Sequence, residues 1–145
     1  MCRYYIMNKQ EKADVKMGLI GENNVFNMIN NYLCINAKPT SYWCPVDMED
    51  EHNCIEIKTR RSKSDAYREF FFNNKKTKYA DKKDKTLSIV YNLLDGVFLF
   101  DYTKHQNKTR VAEKIFNYRG KEEKNMMCYC PTEYFEYIGK IENIL

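Results

Sequence analysis

Two acidic residues and a lysine, spaced closely along the chain, carry the most specific chemical signal in this sequence. Asp47 follows Pro45-Val46, and the triplet Glu56-Ile57-Lys58 begins nine residues after Asp47. If the two segments are the arms of a β-hairpin that turns at Asp50 to Asn53, Asp47 lies opposite Glu56. Opposed residues have Cβ atoms about 4.5–5.5 Å apart on one face of a sheet. Lys58 points to that same face because side chains alternate along a strand.

Such a cluster is typical of metal-assisted hydrolysis. Two carboxylates about 5 Å apart repel each other by roughly 3–4 kcal/mol at an effective dielectric constant of about 20, and a divalent cation relieves this repulsion. Mg²⁺ binds one or two carboxylates and keeps water and substrate phosphates in its other positions. We therefore expect Mg²⁺, with Mn²⁺ as a substitute, on Asp47 and Glu56, where it would polarise a scissile phosphate and activate a water. Lys58 would hold that water or stabilise the negative charge of the transition state.

Alternatives to this assignment stay open at the level of the sequence. The same residues are compatible with a cross-strand charge cluster on a surface hairpin that binds no metal. Asp50 or Glu51 could replace Asp47 as the ligand, although their place in or beside the turn favours Asp47. A slip of one residue in the hairpin would separate the two carboxylates.

The element that precedes the hairpin is predicted to bring in a third carboxylate. Apolar residues recur at helical spacing from about Ala13 to Leu33. Glu22 lies beside this apolar stripe and faces inward, so it could be a further metal ligand, directly or through water. Gly18 and Gly21 weaken the helix and are better explained as positions where another element packs close to the backbone.

Periodicity and turn residues predict the remaining elements. A helix is predicted from about Asp65 to Asp81, and a second hairpin, with Asp95-Gly96 in its turn, from about Leu87 to Tyr102. Met126 to Cys130 could be a last strand, and Pro131 could open a final helix. This order predicts an α/β fold with a mixed central sheet of about four to five strands flanked by helices.

Length and composition limit the classes to which the chain could belong. Its 145 residues, 43% of them hydrophobic, suit one domain spanning residues 1–145. No apolar stretch approaches the roughly 20 residues that cross a membrane, and the start lacks a secretory signal. We therefore expect a soluble, intracellular protein without a membrane partner. The six cysteines are expected to be free thiols, because that location disfavours disulfides and only Cys128 and Cys130 lie close together.

The sequence contains three short motifs: Gly18-Leu19-Ile20-Gly21-Glu22, Pro45-Val46-Asp47 and Glu56-Ile57-Lys58-Thr59-Arg60. Taken together, they resemble the motifs of the PD-(D/E)XK nuclease superfamily. The resemblance covers most of the chain in order and spacing, and it is closest to small stand-alone members encoded by large DNA viruses. It implies a restriction-endonuclease-like core and Mg²⁺-dependent hydrolysis of phosphodiester bonds, usually in DNA. For a viral protein, the location would be the cytoplasm or nucleus of a host cell.

The resemblance also implies roles for single residues. Asp47 and Glu56 match the metal ligands of the superfamily, and Lys58 matches its catalytic lysine. Glu22 matches the acid of the first helix, and the backbone carbonyl of Ile57 would be an extra ligand. The polar residue of the second helix matches Asn74, Lys75 or Lys76 only loosely, and we choose Lys76.

Basic residues after the triplet are expected to contact nucleic acid. The net charge is +4, and the segment from Lys58 to Lys85 is strongly basic, which suits a surface that binds phosphates. The residues expected to make these contacts are Arg60, Arg61, Lys63 and Lys75. Solvated loop charges are the alternative explanation for them.

We therefore expect a metal-dependent endodeoxyribonuclease. The alternatives are a nuclease for branched DNA such as a junction resolvase, an RNA endonuclease, and a non-catalytic nucleic-acid-binding domain of the same fold. A homodimer is compatible with this size, because so small a nuclease has little surface left to wrap a duplex. Tyr67 and Phe70 to Phe72, predicted to share a helix, are expected in the core or a dimer interface, with base stacking as the alternative.

Overall fold

The computed structural model describes residues 24–141, and we number its elements in chain order. The helices are α1 (24–33), α2 (Lys75–Lys83) and α3 (Tyr102–His105), and there are 3₁₀ turns at Gln106–Lys108 and Thr132–Tyr134. The strands are β1 (Lys38–Pro39), β2 (Met48–Glu49), β3 (Asn53–Thr59), β4 (Glu69–Asn73), β5 (Thr86–Leu93), β6 (Gly96–Asp101), β7 (Arg110–Tyr118), β8 (Lys121–Pro131) and β9 (Glu136–Gly139).

Six strands form the central sheet, in the order β1-β2-β3-β5-β6-β9. β3 and β5 are parallel, and the other neighbouring pairs are antiparallel. The predicted mixed α/β sheet is therefore confirmed, with more strands than the four to five expected. Because parallel neighbours need a crossover connection, the chain leaves the sheet after β3 and returns through α2.

A second, three-stranded antiparallel sheet has the order β4-β8-β7. This second sheet is not among the elements predicted from the sequence. β7 and β8 form a long hairpin that turns at Arg119 and Gly120, both of which have positive φ, as a tight two-residue hairpin turn requires. β7 is an edge strand of this sheet.

The central sheet buries apolar side chains on both faces. On one face, Val25 and Ile29 of α1 pack with Ile55 and Ile57 of β3. On the other face, α2 and the inner side of the second sheet cover β3 and β5, with Phe72 at 0% exposure. Three of the cysteines are buried as free thiols, and they are Cys54, Cys128 and Cys130. In the described range 24–141, none of the helices has the length and apolar character needed to span a membrane.

Both predicted hairpins are present. In the first, the Asp50 N–H donates to the Asn53 carbonyl at 3.0 Å, which leaves Glu51 and His52 as the two-residue loop. In the second, β5 pairs with β6 from Ser88–Asp101 to Leu93–Gly96. Residues 24–33 confirm the later part of the predicted first helix, whereas its earlier part, including Gly18, Gly21 and Glu22, lies outside the described residues.

The predicted helix from Asp65 to Asp81 is wrong in its first half, because residues 69–73 form β4 and α2 begins only at Lys75. Phe70 and Phe72 are buried while Phe71 between them is half-buried. This alternation has the period of a strand rather than of a helix. Phe70 to Phe72 therefore do not share a helix, and two of the three belong to the core.

The predicted final helix after Pro131 is also wrong. One 3₁₀ turn is followed by β9, which joins the edge of the central sheet beside β6. The ring of Phe135 stacks on Tyr91 at 5.1 Å between ring centroids, so burial of this aromatic residue overrides the helical spacing. The predicted strand from Met126 to Cys130 is part of the longer β8.

We expect β4 to attach the second sheet to the core through Phe72. Phe72→Ala should lower the free energy of unfolding by about 3–5 kcal/mol, because it removes a fully buried ring and leaves a cavity. The matched control is Phe71→Ala, one residue away on the other face, for which we expect a loss on the order of 1 kcal/mol. Urea unfolding followed by circular dichroism measures both, and equal losses would contradict this packing.

Candidate active site

Glu56 lies in the middle of β3 and is almost completely buried, at 3% exposure. Its neighbours Ile55 and Ile57 belong to the core on the α1 side. Because side chains alternate along a strand, Glu56 and Lys58 project to the opposite face together with Cys54, which belongs to the core beneath α2. Alternation within this short segment thus places a carboxylate and an amine on the face that α2 covers.

Two ammonium groups contact the carboxylate of Glu56. Lys58 Nζ lies 3.1 Å from Glu56 Oε2, and Lys76 Nζ, from the first turn of α2, lies 3.3 Å from the same oxygen. Each lysine side chain is 22% exposed, whereas the Glu56 side chain is 4% exposed. Lys76 also donates a hydrogen bond to the carbonyl oxygen of Pro45. The structure therefore brings together three of the predicted site residues.

Asp47 reaches Glu56 by a route that a regular hairpin would not provide. Met48 pairs with Ile55 in the predicted register. The Asp47 N–H, however, donates to the Ile55 carbonyl at 3.0 Å, one residue out of step with that pairing, so the first arm bulges here. Asp47 Oδ2 in turn accepts a hydrogen bond of 2.7 Å from the Ile57 N–H. The bulge holds the Asp47 carboxylate beside the backbone of β3.

The surroundings of Glu56 change the pKa of its carboxyl group. Burial raises the pKa of Glu56 to about 7, while the Lys58 ammonium opposes this change. The negative charge of Asp47 and a hydrogen bond between the two carboxyl groups raise the pKa further, and the Lys76 ammonium opposes it. Burial and Asp47 outweigh the two lysines, so Glu56 binds a proton more readily than an exposed glutamate does.

The competing acids of the hairpin turn are engaged elsewhere. Asp50 Oδ1 accepts hydrogen bonds from the backbone N–H groups of His52 at 2.8 Å and Asn53 at 2.7 Å. Asp50 therefore closes the turn. The side chains of Glu51 and His52 are 87% and 79% exposed, so both extend into solvent. The geometry favours Asp47 over Asp50 or Glu51 as the partner of Glu56.

The chemistry of the donors fits Mg²⁺. Asp47 and Glu56 supply two adjacent carboxylates, and Mg²⁺ needs no more than one or two when water and phosphate fill its other positions. Residues 24–141 contain no group of three or more His, Cys, Asp or Glu side chains that could hold a metal ion. Glu22, the third predicted acid, lies outside that range.

The predicted phosphate contacts lie at different places around the site. Arg60 follows Lys58 on the same side of the chain, and its guanidinium hydrogen-bonds the Thr59 carbonyl at 2.9 Å. Arg61, Lys63 and Lys75 are exposed. Of this set, Arg60 lines the same pocket as Lys58.

An ionic contact that no sequence pattern predicts holds α2 against the hairpin. Lys85 Nζ lies 2.5 Å from Glu49 Oε2, and the Tyr79 hydroxyl donates to Glu49 Oε1 at 2.7 Å. Although partial burial opposes it, these hydrogen bonds hold the pKa of Glu49 below its ordinary value. The contact fixes the position of α2, and with it Lys76. Glu49 is 30 and 36 residues away from Tyr79 and Lys85 along the chain, so no local pattern indicates the contact.

A pocket of about 250 Å³, which no sequence pattern predicts, lies between β3 and the second sheet. It begins at Lys58 and Arg60 and extends to residues of β4, β8 and β7. Its lining residues are Lys58, Arg60, Phe71, Phe72, Asn73, Phe116, Asn125 and Met127. The candidate active site therefore continues into a cleft with aromatic, amide and cationic groups.

In comparisons with protein-family models, curated proteins and solved structures, nothing matched this chain. The resemblance to the nuclease superfamily stays a prediction that rests on the motifs.

The raised pKa of Glu56 predicts how stability depends on pH in the metal-free protein. Between about pH 4.5 and 7 the folded state binds more protons at Glu56 than the unfolded state does. The free energy of unfolding should therefore fall as pH rises through this window, by on the order of 3 kcal/mol from this residue. Glu56→Gln should remove that decline.

Urea unfolding in the presence of a chelator, at a series of pH values across this window, measures the effect. Glu51→Gln is the matched control, because its side chain is exposed, and it should keep the wild-type pH dependence. A Glu56→Gln variant whose stability declines with pH as steeply as that of wild type would show that Glu56 is not the group responsible.

Proposed function

We propose that this protein is a metal-dependent endodeoxyribonuclease with a restriction-endonuclease-like core. The observation that supports the proposal most strongly is the pairing of a buried Glu56 with Asp47 beside two lysine ammonium groups. A protein core rarely retains two adjacent carboxylates, because their repulsion and desolvation are costly. Such an arrangement is common where a cation and a charged substrate complete the site.

Asp47 and Glu56 would hold the metal ion, with the Ile57 carbonyl as a further ligand. When bound, Mg²⁺ would supply Lewis-acid stabilisation of the phosphoryl oxygens. The hydrogen bond from the Ile57 N–H to Asp47 Oδ2 fixes the orientation of that carboxylate. Asp47 lies on a bulge outside β2, and its carboxyl group is hydrogen-bonded to that of Glu56.

Lys58 is the residue that we assign to the reacting phosphate or water. Its ammonium is 3.1 Å from Glu56 Oε2, and its side chain is 22% exposed, so it lies between the buried acid and solvent. With a cation held by Asp47 and Glu56, Glu56 would attract Lys58 less strongly, and the Lys58 ammonium would donate hydrogen bonds to a phosphate. Preorganised donors of this kind stabilise the charge that develops in the transition state.

Lys76 is a positioning residue in this proposal. It connects α2 to Glu56 and to the Pro45 carbonyl, and therefore ties both arms of the hairpin to one helix. The Glu49–Lys85–Tyr79 contact holds the other end of α2 against β2. Together these contacts keep Asp47 and Glu56 at a constant separation.

A non-catalytic nucleic-acid-binding domain is the second candidate. Two ammonium groups on Glu56 Oε2 can balance the carboxylates without a metal ion. Under this alternative, the same surface would bind phosphates and leave them intact. Cleavage assays separate the two functions.

The proposed function predicts metal-dependent cleavage. Purified protein incubated with plasmid, linear and branched DNA should cut at least one of them in Mg²⁺ or Mn²⁺ and none in chelator. Lys58→Ala should lower the cleavage rate by about 10²–10³-fold, as expected when a preorganised donor to the transition state is lost. RNA in the same assay tests the ribonuclease alternative. Wild-type protein without metal-dependent cleavage, or with cleavage equal to that of Lys58→Ala, would refute the nuclease.

The positioning role of Lys76 predicts a smaller effect of a different kind. Lys76→Ala should lower the rate by about 10–100-fold, comparable to the loss of a group that orients a metal ligand, and should raise the Mg²⁺ concentration needed for half-maximal activity. Lys78→Ala, an exposed lysine on the same helix, should cleave at the wild-type rate with an unchanged Mg²⁺ requirement. A Lys76→Ala variant with an unchanged Mg²⁺ requirement would contradict the assigned role.

A further inference from the structure

The second sheet carries an unusual outer face. Phe71 of β4 lies opposite Tyr129 of β8, and the two rings are 5.5 Å apart between centroids. Arg110 of β7 places its guanidinium 4.0 Å from the centroid of Tyr129, and Lys114 places Nζ 4.2 Å from that of Phe71. Aromatic rings and cations therefore alternate along one side of the sheet.

This face leads directly to the candidate active site. The pocket of about 250 Å³ joins Phe71 and Phe116 to Lys58 and Arg60. Lys58 is also the lysine that contacts Glu56 at 3.1 Å. A molecule that fills the pocket therefore has one end against an aromatic ring. Its other end lies beside Lys58, the residue that we assign to the scissile phosphate.

The lining of the pocket matches the chemistry of an unpaired nucleotide. Phe116 offers a π-face for base stacking, and Lys114 lies 5.6 Å from the centroid of its ring. Asn73 and Asn125 bring amide groups, which both donate and accept hydrogen bonds, to the same cleft. Lys58 and Arg60 bring the positive charge that a phosphate needs. Stacking platforms combined with cations are the usual means of binding single strands.

Charge on the face agrees with this orientation. Arg110 forms hydrogen bonds of 2.9 Å and 3.1 Å with Glu69, so its charge is largely balanced. Glu123 lies opposite Phe116 toward the hairpin tip. Lys114, beside Phe116, is a further cation of this face. We place the phosphate at the Lys58 and Arg60 end of the pocket, because Lys58 is the lysine that contacts Glu56.

We propose that the pocket binds one unpaired base of a single-stranded DNA segment, stacked on Phe116, next to the phosphate that is cut. This inference rests on the proposed nuclease function, and it defines the substrate class as DNA with an unpaired stretch. A paired base has both of its faces covered by its neighbours, whereas an unpaired or extruded base exposes them. The pocket is also smaller than the roughly 300–1,000 Å³ that drug-sized ligands occupy, which suits a single base.

The test measures binding without turnover. Fluorescence anisotropy in chelator compares a short single-stranded DNA, a blunt duplex of the same sequence and the corresponding RNA. The variants are Phe116→Ala, Phe116→Trp and, as the matched control, Ile115→Ala. Ile115 is the preceding residue of β7, is 51% exposed, and projects from the opposite face of the strand. Circular dichroism and urea unfolding confirm that each variant is folded.

We expect the single strand to bind at least about tenfold more tightly than the blunt duplex. Phe116→Ala should weaken single-strand binding by about tenfold, the loss typical of one stacked base, whereas Phe116→Trp and Ile115→Ala should bind like wild type. A 2-aminopurine base in the single strand should be quenched by wild-type protein and not by Phe116→Ala.

Three results would overturn the proposal. They are equal affinity for the single strand and the blunt duplex, unchanged single-strand affinity in folded Phe116→Ala, and tighter binding of RNA than of DNA. Failure of the nuclease function is distinguishable from these results. A protein that cuts no substrate but binds single strands through Phe116 refutes the nuclease and keeps the base pocket. A protein that cuts duplex DNA without any dependence on Phe116 refutes only the pocket.

Discussion

The buried carboxylate of Glu56 constrains much of the surrounding structure. The Glu56 carboxyl group, at 3% exposure, must be either protonated or balanced by nearby positive charge, because water cannot solvate it. Compensation comes from Lys58 on the same strand and from Lys76 on α2. The crossover between β3 and β5 must therefore return α2 over the middle of β3. The bulge at Asp47 and the Glu49–Lys85 contact serve the same site. The bulge holds the Asp47 carboxyl group beside Glu56, and the Glu49–Lys85 contact holds α2, and with it Lys76, over Glu56.

The pairing of the first hairpin could be predicted because its determinants are local. The turn chemistry of Asp50 and Asn53 defines a loop of Glu51 and His52, and simple alternation then gives the pair Met48–Ile55. The departure at Asp47 could not be predicted, because its carboxylate replaces a backbone acceptor for the Ile57 N–H. A side chain that competes with the sheet ladder leaves no periodic pattern in the sequence.

The errors have a common physical cause, which is tertiary packing that overrides local preference. Phe70, Phe71 and Phe72 fit either a helix or a strand when taken alone, and pairing with β8 decides between them. The charged segment of β7 and β8 lacks a clear apolar face, so periodicity does not indicate the second sheet. Lys76 is predicted from the resemblance to a nuclease family. The pocket residues Phe116 and Asn125 are recognisable only in the three-dimensional structure. Within the candidate site, sequence patterns predict the residues of the strand and do not predict the long-range contacts.

The edge position of β7 has a consequence for how copies of the protein meet one another. β7 is hydrogen-bonded to β8 along one side, and among the described residues no strand pairs with its other side. An unpaired edge of nine residues is a template on which a foreign strand could add and start aggregation. Glu113 and Lys114 lie at the centre of this edge and project to opposite faces. An apolar strand that adds to β7 would lie against the charged side chain of Glu113 on one face and of Lys114 on the other. Burying these charges is unfavourable, so the two residues act as gatekeepers against aggregation.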